Sequence, residues 1–293
     1  MFIATLIASD RLSAGDISEA VDRLASAGCA PSEVNMIEAD KACDIWIGQG
    51  GTSARAAIED LAPGIDIFVQ TAADRRRRLI VADMDSTMIT VECIDELADY
   101  AGIKPQIAAV TEAAMRGELD FEEALRSRVA LLAGLPEAVI EQCLAERVVI
   151  MGGARALVQT MRADGGYAVL VSGGFTRFTD PVATQIGFNV AIANQLGIKD
   201  GALDGTVVGA IVGAQTKRDT LNRTLSEKSW LTADALAVGD GANDIPMIEA
   251  AGLGVAYHAK PKTAAAAAAS IRYNDLTALL FAMGYPRSAW VTT

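Results

Sequence analysis

Two aspartates leave one apolar run together, because Leu79 to Ala82 leads straight into Asp83-Met84-Asp85-Ser86-Thr87. Side chains alternate along an extended chain, so residues two apart lean the same way, and one carboxylate can attack while the other carries protons. A short apolar run ending in acidic and hydroxyl residues reads as a buried parallel strand. Its carboxyl end opens into a loop, where open α/β sheets hold their ligands. The spacing by itself fits an ordinary strand end equally well.

Three further stretches carry matching chemistry. Val171-Ser172-Gly173-Gly174-Phe175 follows another apolar run. Glycines there allow backbone N–H groups to turn toward an oxyanion, and Ser172 adds a hydroxyl donor. Lys217, in Gln215-Thr216-Lys217-Arg218 at a helix start, could neutralise a transferring phosphoryl group. Gly239-Asp240-Gly241-Ala242-Asn243-Asp244 follows the apolar Ala235 to Val238. Asp240 and Asp244 offer the hard oxygen ligands that magnesium requires, and no EF-hand pattern points to calcium. Singly, these are a strand-to-helix turn, a surface lysine and an acidic loop. In this order with the aspartate pair, they point to phosphoryl transfer.

The elements that must position these residues can be read from periodicity. Residues 1–73 read strand, helix, strand, strand, helix, strand: a small α+β ferredoxin-like (βαββαβ) unit, with Gly48-Gln49-Gly50-Gly51 turning the chain into its second helix. Four consecutive arginines, Arg75 to Arg78, read as a solvated linker or a domain-contact edge. Residues 74–293 read as an α/β core with a doubly wound, mostly parallel sheet, interrupted by a helical cap over about 90–150. A hairpin is expected between Leu196 and Val212, and a close-packed helix over the alanine run Ala264 to Ala269.

Composition removes other classes. A net charge of −12 repels nucleic acid and anionic membrane surfaces, so neither is expected as a partner, and an anionic substrate needs a locally positive site. His258 is the only histidine, which leaves carboxylate and lysine chemistry. Cys29, Cys43, Cys93 and Cys143 form no CxxC pair. With no secretory leader pattern and no apolar run of spanning length, the expectation is a cytoplasmic protein with reduced thiols.

The four ordered motifs resemble those of the haloacid-dehalogenase-like phosphatases. Within the cap, Glu92 and the string from Met115-Arg116-Gly117-Glu118-Leu119-Asp120-Phe121 through Arg128 to Leu135 resemble the phosphoserine phosphatase branch, over roughly Leu79 to Ala282. The resemblance implies magnesium-dependent hydrolysis of O-phospho-L-serine to L-serine, the last step of serine biosynthesis. Asp83 would be the nucleophile that forms an aspartyl-phosphate, and Asp85 the proton donor and later base. Ser172, Gly173, Gly174 and Lys217 would bind the phosphoryl oxygens. Asp83, the backbone carbonyl of Asp85 and Asp240 would hold Mg2+, supported by Asn243 and Asp244. In the cap, Glu92 would meet the substrate ammonium, Arg128 would clamp its carboxylate, and Met115 and Phe121 would wall the pocket. Complementary charges suit a substrate with one cation and two anionic groups. Glu92 and Arg128 could also be a structural pair inside the cap.

Gly213 stands where the family leads one to expect an acidic residue, and Arg218 where a small residue is common. The N-terminal unit is similar to ACT-type domains, and is expected either to dock or form a homodimer, or to sense an amino acid. A small-metabolite phosphatase or phosphotransferase on the same core, and an inactive regulatory protein, are the competing functions.

Overall fold

The computed structural model describes residues 1–116 and 118–291, the side chain of Met115 excepted. The first six elements are β1 (Phe2–Ala8), α1 (Ala14–Ser26), β2 (Pro31–Glu38), β3 (Ala42–Ile47), α2 (Gly51–Ile58) and β4 (Ile65–Thr71). They form an antiparallel sheet in the order β2-β3-β1-β4. Helix α1 starts where Ser13 and Asp16 close a reciprocal capping box, satisfying amide groups that the first turn leaves free. Alternation then divides the sheet. Leu6 and Ile45 pack with Leu24 and Ile58 of the helices, whereas Ile7, Ala42 and Phe68 join the main core of the rest of the chain.

The second sheet runs β11-β10-β9-β5-β6-β7-β8. Its elements in chain order are β5 (Leu79–Ala82), α3 (Cys93–Tyr100), α4 (Lys104–Met115), α5 (Phe121–Leu131), α6 (Ala138–Glu146), α7 (Ala154–Ala163), β6 (Tyr167–Phe175) and α8 (Thr176–Ile186). There follow β7 (Val190–Lys199), β8 (Ala202–Val208), α9 (Ala214–Lys228), β9 (Ala235–Gly239), α10 (Ile245–Ala250), β10 (Leu253–Tyr257), α11 (Pro261–Ala266), β11 (Ala269–Ile271) and α12 (Ala278–Ala282). All pairings are parallel except the β7-β8 hairpin. Strand β5 is buried along its whole length, as its unbroken aliphatic sequence requires of a central parallel strand. Ala82 stands opposite Leu170 on one side and Val238 on the other. That register delivers Asp83 and Asp240, just past β5 and β9, and Ser172, near the end of β6, to one edge of the sheet, at the switch point in strand order.

Helices α3 to α6 form a cap inserted between β5 and α7. The chain leaves and re-enters through adjacent extended segments: Ile89 bridges Ile150, Thr90 N donates to Val149 O at 3.0 Å and Met151 N to Met88 O at 2.9 Å.

Of the two readings of the four arginines, the structure favours the domain-contact edge over the solvated linker. Arg75 pairs with Asp44 at 2.6 Å, Arg76 lies over the Tyr285 ring, buried Arg77 donates to Gln70, and Arg78 lies over Trp230. The alanine run also departs from expectation. Helix α11 ends at Ala266, and Ala269 opens β11 in parallel register with Val255. Alanine's helix preference amounts to only tenths of a kcal/mol per residue, and pairing with β10 overrides it.

Candidate active site

Asp83 sits at the carboxyl end of β5, its amide donating to Val238 O at 3.0 Å across the neighbouring strand. Its Oδ1 accepts from Met84 N at 2.8 Å and from Lys217 Nζ at 2.6 Å, which leaves Oδ2 as the oxygen available for attack. Lys217, in the first turns of α9, is fully buried. It bridges Asp83 to Asp244, donating to Asp244 Oδ1 at 2.6 Å, and Asp244 Oδ2 accepts from Gly241 N at 2.9 Å. A Cβ on Gly239 would run into the Asp244 carboxylate, so the glycine there serves close approach. Burial alone would lower Lys217, but the carboxylates of Asp244 and Asp83 outweigh it and hold the ammonium above its ordinary range. Burial, then the charge of Asp244, raises Asp83 well above the usual carboxylate range, with Lys217 opposing.

Asp85 stands in different surroundings. Burial, then the charge of Glu92, pushes its carboxyl up to about 7, and hydrogen bonds from the Cys93 thiol and amide oppose that rise. Its Oδ1 is buried without a partner among the described residues. A carboxyl poised near neutrality can give a proton and later take one, which a nucleophile cannot do for itself. Two aspartates two residues apart are thus divided by environment: Asp83 is tied to an ammonium, Asp85 is not.

Between them and the cap, Ser86 takes a left-handed backbone, φ 56°, uncommon for a residue with a side chain. Its hydroxyl donates to Glu92 Oε1 at 2.7 Å, linking the loop that follows Asp83 to the N-cap position of α3. Buried Thr87 donates to Asp240 Oδ1 at 3.0 Å. Burial, then Asp244, raises Asp240 to about 6.

Ligand oxygens of Asp83, Asp240 and Asp244 lie within 4.8 Å of one another. Three crowded hard-oxygen donors, two of them raised by burial and mutual repulsion, fit a divalent cation of the magnesium or calcium type. The Ser172 Oγ accepts from Gly174 N at 2.8 Å, so its own proton remains available to a phosphoryl oxygen. Neither Gly173 nor Gly174 has a positive φ. A Cβ on Gly174 would stand 3.0 Å from Asp85 Oδ2 and from Ser172 Oγ, and one on Gly173 3.3 Å from the Phe121 ring. A side chain at either position would crowd these neighbours by a few tenths of an ångström.

Core and cap enclose a cavity of about 860 Å³. Asp83, Asp85, Ser172 and Asn243 line it from the core; Glu92, Phe121 and Arg128 line it from the cap. Arg128 is half-buried with its Nε donating to Ala124 O at 3.3 Å. Burial lowers it, and the charges of Asp95 and Glu92 oppose. No ion pair of 4 Å or less joins Arg128 to Glu92 among the described residues, so a simple structural pair does not account for either.

The chain matches the haloacid dehalogenase-like hydrolase family over residues 80–249. The chain belongs to that family. Among curated relatives, the phosphoserine phosphatase of Haemophilus influenzae is 46% identical over 202 residues, covering 69% of this chain and 64% of the relative. This hydrolase spans between 55% and 64% of the length of three such bacterial relatives. Among solved structures, a probable phosphoserine phosphatase from Vibrio cholerae superposes with a TM-score of 0.79 at 34% identity, over 98% of this chain and 88% of the other. A phospho-aspartyl intermediate analogue of phosphoserine phosphatase superposes with a TM-score of 0.65 at 36% identity, over 70% and 98%.

Of the residues singled out from the sequence of this hydrolase, the cavity gathers all but two that it describes: Lys217 and Asp244 lie just beneath it, holding Asp83. The Met115 side chain lies outside the described residues. Sequence reasoning missed Thr87, Asp95, Lys260, Lys262 and Thr263. Asp95 stands one helical turn from Glu92 on α3, which periodicity could have flagged. Lys260, Lys262 and Thr263 follow β10, another carboxyl strand end at the same edge, and line the cavity. No helix is long and apolar enough to cross a membrane among the described residues.

Proposed function

We propose that this hydrolase is a magnesium-dependent phosphomonoesterase that converts O-phospho-L-serine to L-serine and phosphate through an aspartyl-phosphate. The observation that carries this is the division between Asp83, tied to Lys217 at 2.6 Å, and Asp85, whose Oδ1 is buried without a partner among the described residues. Asp83 Oδ2 attacks phosphorus while protonated Asp85 gives its proton to the departing seryl oxygen. Asp85, now a carboxylate, takes a proton from the water that opens the aspartyl-phosphate. Lys217 keeps Asp83 oriented and offsets negative charge gathering at the phosphoryl group, and Ser172 donates to a phosphoryl oxygen. Asp83, the Asp85 backbone carbonyl and Asp240 would hold Mg2+, with Asn243 and Asp244 supporting them. When bound, the cation polarises the phosphoryl oxygens and screens the carboxylates from one another.

Cap residues support the substrate assignment. Glu92 offers a carboxylate to the ammonium, and Arg128, which makes no ion pair of 4 Å or less among the described residues, offers a guanidinium to the carboxylate. The phospho-aspartyl analogue of a 36% identical phosphatase supports the covalent route. Four free, buried cysteines suit a reducing cytoplasm. A homodimer formed through the N-terminal unit would use its β2 edge or its helices, since the opposite sheet face is packed on the core.

Phosphate release measured across phosphoserine, phosphoethanolamine, phosphocholine and sugar phosphates, with and without Mg2+, tests the proposal. Phosphoserine should be turned over best, and only with the cation. An equal rate on phosphoethanolamine, which lacks the carboxylate, would end the phosphoserine assignment.

A further inference from the structure

The cavity is a hard place for an anion to enter. Asp83, Asp85, Glu92, Asp95 and Asp240 line it, in a chain whose net charge is −12, so a phosphate ester approaching through water meets repulsion. The cation nearest Asp83 does not relieve this. Lys217 is fully buried, and its charge is taken up by Asp83 and Asp244 at 2.6 Å each. Arg128 is half-buried on the cap.

Two further cations line the same cavity from the core. Lys260 and Lys262 are exposed, and they line it together with Gly241 and Asn243. Lys260 is the extended N-cap residue of α11, which Pro261 opens. That helix packs against the turn at 242–244, which follows Asp240. Neither lysine makes an ion pair or a side-chain hydrogen bond among the described residues, so neither charge is already offset by a close carboxylate.

The segment that carries them is held firmly and under strain. His258, two residues before Lys260, has φ 43°, a left-handed backbone that a residue with a side chain rarely adopts. Its N donates to Ile271 O at 2.8 Å, and its Nε2 donates to the Asn274 carbonyl at 3.0 Å. Buried Asn274 is gripped in turn by the N-terminal unit, donating from N to Asp66 at 3.0 Å and from Nδ2 to Ile7 O at 3.0 Å. Beyond the lysines, buried Thr263 donates from N to Lys260 O at 3.0 Å. A strained backbone that its surroundings hold in place is found most often where geometry serves function.

We propose that Lys260 and Lys262 are the entry cations of this hydrolase: standing where the cavity meets water, they draw the phosphate group past its acidic walls, and so set the rate of capture rather than the rate of bond breaking. The inference deepens the proposed function and rests on an anionic phosphate ester being the substrate. It also answers how a strongly acidic chain admits an anion: the attraction is local, carried by two side chains on one held segment.

Ionic strength reads the effect. At low salt, the Lys260→Gln/Lys262→Gln variant should lose about tenfold in kcat/KM on phosphoserine, while kcat stays within about twofold. Near 1 M salt, where charges are screened beyond about 3 Å, it should match the unaltered enzyme. The Lys260→Arg/Lys262→Arg variant should keep both the rate and its salt dependence. A second arm needs no turnover: in calorimetric titration with inorganic phosphate in the presence of Mg2+, the glutamine variant should bind about tenfold more weakly, at low salt only. A loss that salt does not alter, an equal fall in kcat, or the same loss in the arginine variant would overturn the entry role. Phosphate binding that responds as expected, without turnover of phosphoserine, would uphold the role and sink the substrate assignment. Phosphoserine turnover with one salt dependence shared by all three proteins would do the reverse.

Discussion

Single atoms decide the chemistry proposed for this chain. Asp83 and Asp85 are the same residue type on the same loop, yet only Asp83 touches Lys217. Asp83→Asn should remove the covalent route and lower kcat by on the order of 10³-fold or more, with no trappable phospho-enzyme. Asp85→Asn should slow both half-reactions, about 10²- to 10⁴-fold, while the phospho-enzyme still forms; single-turnover kinetics with acid quench would separate the two. Thr87→Val removes the donor that orients Asp240, and should weaken Mg2+ about tenfold with kcat at saturating cation preserved. The gathering of Asp83, Ser172 and Asp240 at one sheet edge was legible from the apolar runs before them, because strand ends deliver side chains predictably, whereas the roles proposed for them and for Lys217 come from the family resemblance. Thr87, five residues into the opening motif, could not, since nothing local says that its hydroxyl meets a carboxylate 153 positions away.

At the scale of elements, periodicity separated helix from strand wherever burial is one-sided or complete. It did so for β5, whose four residues are all buried, and for the capped α1 and α5. It misread Ala264 to Ala269, because small side chains carry little pattern and the unpaired edge of β10 settles the conformation from outside. Local geometry imposes stricter terms elsewhere. Gly153, opening α7, has φ 80° and would place a Cβ 2.5 Å from Thr277 N. Gly153→Ala should therefore destabilise the protein by about 2 kcal/mol or more, through both the left-handed backbone and the collision. Denaturant unfolding would measure it, and Gly165→Ala, with a similar φ of 82° but nothing within 4 Å, would isolate the backbone share.

Across the whole molecule, the N-terminal sheet and the hydrolase core are fastened by buried polar groups that composition could not announce. Asp44, 4% exposed, takes the Arg75 guanidinium at 2.6 and 2.7 Å. Asp66 accepts from the backbone N–H groups of Arg272, Tyr273 and Asn274 at 2.8, 3.3 and 3.0 Å. Asp44→Ala should cost about 3 kcal/mol, since it strands a largely buried guanidinium. Thermal unfolding followed by calorimetry should show the lower midpoint. A reading of the arginine run as solvated linker fails for the same reason: Arg75, Arg76 and Arg78 meet Asp44, Tyr285 and Trp230, and Arg77 also donates to Ala233 O.

The paired crossing at Ile89 and Ile150 has an evolutionary consequence. Because the insertion begins and ends at neighbouring backbone positions, its removal or exchange would leave every strand of the sheet in register. Lineages can then trade one cap for another, changing what the cavity admits while Asp83 and its lysine are inherited intact.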